Sequence, residues 1–400
     1  MESVHPLVQS DLLKESSSEE LRGIEASGDS SGGRLATRAA LATTAESKSR
    51  LGNIQSLRGL TICLIVMTHT TIAPFHSHTL NHYIKDTLNN TTCIFTFIAG
   101  YLFQYLHKRY QFGDYFRKKY TNVLLPYIVT CAYSVYVSAQ YHRDAYAWLD
   151  NHSFIYRVAW LYLHPAAQVN YPLWFMGMIV LLYLSAPVFS AIVRHPRWYL
   201  VIVPLVCLSA LIHRSALDEN YSLIHMWVYF IPIYMSGMWF SQQGEQKLTA
   251  LLRDSPYLAI GLCFMALISL PMLTSIWHTG NYAEPGYFTF RTGVVDWNLI
   301  DKLVLAMFLV VALRHFPAIV GRTLDPLGNT SFAIYFVHYY WIRALANLRP
   351  FSTVLGTDGH HYTDPVHCLL LTATVIAASH GTAVLVKFLA PNHHRMLIGY

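Results

Sequence analysis

The feature that most restricts how this chain can fold is a recurrence, from residue 57 onward, of apolar runs approaching the ~20 residues a helix needs to cross a ~30 Å hydrocarbon layer. They fall at about 57–75, 91–106, 122–140, 172–191, 199–213, 224–240, 256–276, 299–314, 330–347 and 366–389. Pro187, Pro204, Pro232 and Pro271 interrupt several of them. In lipid, such a break is stable only where neighbouring helices or a polar cavity satisfy the freed backbone groups, so a tightly packed bundle is expected.

Charge usage agrees. Only 12% of the 400 residues are charged, against roughly 25% in an ordinary soluble protein. Residues 51–400 hold just 14 acidic and 22 basic side chains. Beside a 54% hydrophobic composition, that excludes a soluble enzyme and a disordered chain. The expected fold is an all-α integral membrane protein, a bundle of about ten transmembrane helices over residues 51–395. Residues 1–50 include Glu15-Ser16-Ser17-Ser18-Glu19-Glu20 and a Ser/Gly-rich stretch over 27–33, and are expected to form a disordered cytosolic tail. No short apolar core with a small-residue cleavage site precedes residue 57, so no cleaved secretory signal is expected.

With the amino terminus inside, 14 of the 22 basic residues fall on the inner side and 10 of the 14 carboxylates on the outer. The positive-inside rule then puts both termini in the cytoplasm, with the plasma (inner) membrane the expected location. The segment from Phe154 to Tyr162 is expected to lie along the membrane interface as an aromatic element. No basic stripe with interleaved aromatics is present, which argues against nucleic acid as a partner. Cys63, Cys93, Cys131, Cys207, Cys263 and Cys368 lie in apolar runs without paired spacing, and read as core thiols. His76, His78, His82, His360, His361 and His367 are loosely spaced in loops and read as solvated histidines, so no metal site is expected.

The Asp and Glu residues of 51–400 are expected in loops or at helix ends, Asp301 nearest to a span. What the spans do contain is histidine. His69 lies twelve residues into the first run, ~18 Å from its inner end and slightly beyond the midplane. Polar groups there are costly and usually functional. Arg58 precedes it by eleven residues, and eleven steps of ~100° return to within ~20° of the starting direction. One helix face is therefore expected to carry a permanent cation at the inner mouth and an imidazole near the centre. Thr61 and Thr68 place hydroxyls on other faces, and Gly59 admits close approach of a neighbour. A positive-inside anchor at Arg58 and a packed histidine at His69 are the simpler structural alternatives.

The stretch Asn53-Ile54-Gln55-Ser56-Leu57-Arg58-Gly59-Leu60 with Met67-Thr68-His69 resembles the amino-terminal signature of the membrane-bound acyltransferase-3 family. Further motifs follow in order. Phe95 to Phe103 is similar to a Phe-rich second span, and Phe116-Arg117-Lys118-Lys119 with Leu124-Leu125-Pro126-Tyr127 to a basic inner loop before a Leu-Pro-Tyr helix start. Leu173-Trp174-Phe175 with Tyr183-Leu184-Ser185-Ala186-Pro187 resembles the fourth-span pattern of membrane O-acetyltransferases of surface polysaccharides, and Ser331 to His338 a late Ser-Tyr-His span. The resemblance covers about residues 53–389. Better-known bacterial relatives carry a glutamate in the fourth span, whereas residues 176–182 contain no acid.

The resemblance implies transfer of an acyl group, usually acetyl, from acyl-CoA (acetyl-CoA) to a hydroxyl of a carbohydrate or other surface acceptor. His69, as general base, and Arg58 are the expected catalytic residues, and Arg58, Lys108, Arg109, Arg117, Lys118 and Lys119 are expected around the phosphates of the donor; the topology signal accounts for the loop charges about as well. Trp174, Tyr335, His338 and Arg343 are the expected acceptor-binding residues, although a membrane-interface aromatic is the commoner account of Trp174 and of neighbouring Tyr171. A transporter or flippase of surface glycan precursors is the alternative. The expected scarcity of intramembrane carboxylates counts against it.

Overall fold

A computed structural model describes residues 31–71, 78–141, 149, 151–164, 171–215, 222–252, 257–258, 260–262, 264–265, 295–315, 317–345, 348, 354–355, 361–362 and 365–400. These residues are overwhelmingly helical. The helices are α1 (Ser31–Thr70), α2 (His78–Leu88), α3 (Thr92–Leu106), α4 (Phe112–Lys119), α5 (Leu125–Tyr141), α6 (Phe154–Leu163), α7 (Trp174–Leu184), α8 (Ala186–Arg194), α9 (Ile202–Ile212), α10 (Leu223–Trp239), α11 (Glu245–Leu251), α12 (Trp297–Ala312), α13 (Pro317–Asn329), α14 (Ser331–Leu345), α15 (Pro365–Leu389) and α16 (His394–Ile398). A two-residue antiparallel pairing, Val354–Leu355 with His361–Tyr362, is the described β-structure. The run expected at 256–276 lies largely outside the described residues; each of the others coincides with a helix.

Four helical stretches are long and apolar enough to cross a bilayer, namely Arg50–Thr70, Phe112–Gln140, Leu223–Leu251 and Pro365–Leu389. The bent pair α7–α8, turned by 51°, makes a fifth. The protein is thus a multi-pass membrane protein, and among the described residues five of the ten apolar runs form full-length spans. The difference is one of length: α3 and α14 have 15 residues each, or ~22 Å. The α7–α8 bend follows from Pro187, which removes a backbone donor just where the Ser185 hydroxyl turns back to the Leu181 carbonyl at 2.7 Å. Residues 31–50, expected to be disordered, form the first turns of α1.

Glycine makes the two closest helix crossings. A Cβ at Gly100 of α3 would lie 1.9 Å from the Tyr234 carbonyl oxygen, and one at Gly237 of α10 would lie 2.0 Å from that of Phe97. The same reciprocity joins α1 to α13, where Gly59 abuts the Leu324 carbonyl and Gly328 that of Gln55, at 2.1 Å for each built Cβ. Helices in lipid gain little from apolar burial against one another, so this close backbone packing supplies much of their attraction.

Both 29-residue helical stretches contain one π turn. Tyr120–Leu124 joins α4 to α5, and Phe240–Gly244 joins α10 to α11. The second delivers Glu245 into the bundle. Contrary to the expectation that acids stay in loops or at helix ends, Glu245 is 1% exposed within a continuous helical stretch. It accepts hydrogen bonds from Arg50 (2.5 Å), Tyr101 and Arg314. Asp86, Asp296 and Asp301 are buried as well, as is Lys302, which pairs with Asp301 at 2.5 Å. Glu245 is compensated by cations brought from distant parts of the chain, which residue-by-residue reading does not reveal. Glu245→Gln is expected to destabilise the protein by about 3 kcal/mol, because two arginines lose their counter-charge; thermal unfolding in detergent checks this.

Candidate functional site

The site begins with α1. Its eleven-residue spacing turns Arg58 and His69 to one face, as expected, and that face meets α14 at both places. At one end, Arg58 donates to Ser331 Oγ at 2.8 Å and to Gln55 Oε1 at 3.3 Å, with its guanidinium 5.5 Å from the Phe332 ring centroid. At the other, the rings of His69 and His338 lie 5.5 Å apart between centroids, tilted by 34°. The first helix ends at Thr70, not near residue 75, so His69 occupies its last turn. Along that helix, His69 lies ~16 Å beyond Arg58.

His338 is fully buried. Its Nδ1 is 2.8 Å from the Tyr335 carbonyl oxygen and 3.1 Å from that of Ile334. A carbonyl only accepts, so Nδ1 carries a proton, and Nε2 has no hydrogen-bond partner among the described residues. Its tautomer is thereby fixed by its own helix.

From His338 an aromatic wall runs through Tyr335, Phe175 and Trp174, with successive centroid separations of 6.0, 6.2 and 5.9 Å. Tyr335 is anchored by its hydroxyl, which donates to the Pro172 carbonyl. Trp174, expected at the membrane interface or in a sugar site, is 3% exposed, and the Arg214 guanidinium lies 5.2 Å from its ring centroid. Arg214 interacts electrostatically with His69.

The Arg58 end is cationic. Lys119 turns inward, its ammonium 5.5 Å from the Tyr115 ring centroid and 5.0 Å from that of Tyr183. It is within electrostatic reach of Arg58, as is Tyr183. No carboxylate forms an ion pair with Arg58 or Lys119 among the described residues. Two neighbouring half-buried cations without a counter-charge suit an anionic ligand. The other expected donor-binding residues, Lys108, Arg109, Arg117 and Lys118, are exposed, as is Arg343 of α14. The structure thus gathers Arg58, Lys119, His69, His338, Tyr335 and Trp174, and leaves the remaining five at the surface. Ser331, Tyr183 and Arg214 join them. Ser331 belongs to the late-span motif and Tyr183 to the fourth-span motif, whereas nothing in the sequence around Arg214 marks it.

Fold and site together define a multi-pass membrane protein that presents cations and paired histidines inside its helical bundle. Residues 51–383 match the family model of the acyltransferase-3 domain, described as an acyltransferase domain. The chain belongs to that family and is a membrane acyltransferase. No curated protein and no solved structure matches it.

Proposed function

We propose that the chain transfers an acyl group, acetyl by preference, from cytoplasmic acyl-CoA to a hydroxyl of a carbohydrate or other surface acceptor. One observation carries this reading: a single face of α1 offers Arg58 beside Lys119 at one level and His69 beside His338 ~16 Å further along. A donor with phosphates at one end and a thioester at the tip of a long arm fits that separation. Arg58 and Lys119 hold phosphate, and neutral His69 takes the acceptor hydroxyl proton as its oxygen attacks the thioester carbonyl. With each of the ten apolar runs crossing the membrane, the shorter helices included, the even number of crossings leaves both termini cytoplasmic.

Purified protein given radiolabelled acetyl-CoA and a panel of glycan acceptors tests the reading. Label transferred to an acceptor hydroxyl supports it. Acceptor translocation across vesicles without acylation would instead identify a flippase. Arg58→Ala is expected to raise the KM for acyl-CoA by about 10–100-fold, the worth of one or two charge-assisted hydrogen bonds, with a smaller change in kcat. Initial rates at varied acyl-CoA check this.

A further inference from the structure

Arg214 is the residue that neither motif nor charge pattern marks, and the fold constrains it from several sides. It is 5% exposed. Its Nη1 donates to Asn90 Oδ1 at 3.3 Å, Asn90 Nδ2 donates to Tyr229 Oη at 2.7 Å, and Tyr229 donates to Asp296 Oδ2 at 2.7 Å. The other oxygen of Asp296 accepts from the Leu299 amide at 3.1 Å at the start of α12, and the Asp296 amide donates to the Ala210 carbonyl at 2.8 Å. The turn between α2 and α3, together with helices α9, α10 and α12, thereby sets the position of one guanidinium.

The backbone is strained at the residue that precedes it and at the residue that holds its guanidinium. Asn90, which holds Arg214, and His213, which precedes it, adopt positive φ values of 61° and 56°. They are the two non-glycine residues in that region among the described residues. Strain of this kind costs about 1–3 kcal/mol per residue and persists where the surroundings over-determine it, often at functional sites. His213 is fixed in turn by His225, whose Nε2 donates to its carbonyl at 2.9 Å. The product of this arrangement is a buried cation seated on Trp174, at the end of the wall that leads to His338 and within electrostatic reach of His69.

We propose that Arg214 is a catalytic residue of acyl transfer, holding the carbonyl oxygen of the acyl donor as negative charge develops on it. The proposal rests on the reading of His69 as base. The acceptor oxygen bonds to the thioester carbon while its proton passes to His69, and the carbonyl π electrons move onto the oxygen facing Arg214. Collapse re-forms the C=O bond and breaks the C–S bond. Sulfur leaves with the bonding pair and takes the proton from His69, giving an ester and the free thiol of CoA. A fixed cation aimed at the developing oxyanion stabilises it without reorganising during the reaction, and stabilisation of this kind commonly accounts for much of an enzyme's rate enhancement.

Arg214→Gln in the full-length purified protein, assayed with acetyl-CoA and the acceptor the wild type uses, is expected to lower kcat by about 10²–10³-fold with the KM for acetyl-CoA within about threefold of wild type. Arg214→Lys, which keeps the charge but lacks the fork, is expected to recover part of that loss. Guanidinium added to Arg214→Ala is expected to raise its rate. Wild-type kcat in Arg214→Gln, or a loss confined to KM, overturns the proposal. If Arg214→Gln does not fold, Arg214→Lys decides: a kcat loss of about tenfold supports the role, and full activity overturns it. Failure of the functional reading looks different, because then the wild type transfers no acyl group, or His69→Ala is as active as wild type. An inactive His69→Ala beside a fully active Arg214→Gln removes only the role of Arg214.

Discussion

Replacing His69 with alanine is expected to reduce acyl transfer by about 10²–10⁴-fold, the usual worth of a positioned general base, while the protein remains folded. His69 sits in the last turn of α1, past the Gly59 crossing that holds α1 to α13, so its removal leaves the main packing of that helix intact. What it removes is the imidazole facing His338. The two histidines are distinguishable by experiment. His338 has its Nδ1 proton committed to backbone carbonyls, so His338→Gln disturbs packing within α14 as well as chemistry, and its loss should appear in thermal stability too. Parallel assays and melting curves of the two variants check this. An active His69→Ala enzyme beside an inactive but stable His338→Gln enzyme would assign the base to the other ring.

Adding one methyl group at Gly100 is expected to be nearly as damaging, by a different route. The new Cβ would lie 1.9 Å from the Tyr234 carbonyl oxygen, with the Tyr234 Cα at 3.1 Å. The obstacle is backbone, so no rotamer change relieves it and α3 must separate from α10. These helices also bring Tyr101 to Glu245 and Asn90 to Tyr229, so separation strips partners from buried polar groups. Overpacking of a core commonly costs about 1–3 kcal/mol, and leaving such groups unsatisfied adds about 1–3 kcal/mol each. Gly100→Ala and Gly237→Ala should therefore yield little monodisperse protein in detergent, whereas Gly52→Ala, where nothing lies within 4 Å of the new atom, should behave as wild type. Size-exclusion chromatography of the three variants measures the contrast.

Much of this was legible in the sequence. Apolar runs mark helices because hydropathy is a local property, and the α1 face survives intact because eleven residues nearly close three turns. The helix lengths and the charges were less legible. Glu245 reads as an inner-loop acid until Arg50 and Arg314 arrive from 195 and 69 residues away. Arg214 likewise reads as an outer-loop cation, yet it is buried against Asn90 from 124 residues away, and Lys302 is buried beside its neighbour Asp301. Composition states that a charge exists; only tertiary structure states whether it is compensated. The same limit applies at the donor end. Among six cations expected there, Arg58 and Lys119 turn inward, and nothing in the run Arg117-Lys118-Lys119 says which one will.

The π turns at Tyr120–Leu124 and Phe240–Gly244 bear on that difficulty. Each carries a residue beyond what a regular α-helix would need, and so shifts the angular phase of everything after it by about 100°. No single helical wheel fits residues 112–140 or 223–251 from end to end. Removing one residue from the second π turn would restore a regular helix and swing Glu245 away from Arg50 and Arg314 by more than a quarter of a turn. These turns act as phase shifters, letting one uninterrupted helix serve a lipid-facing pattern on one side and a charged junction on the other.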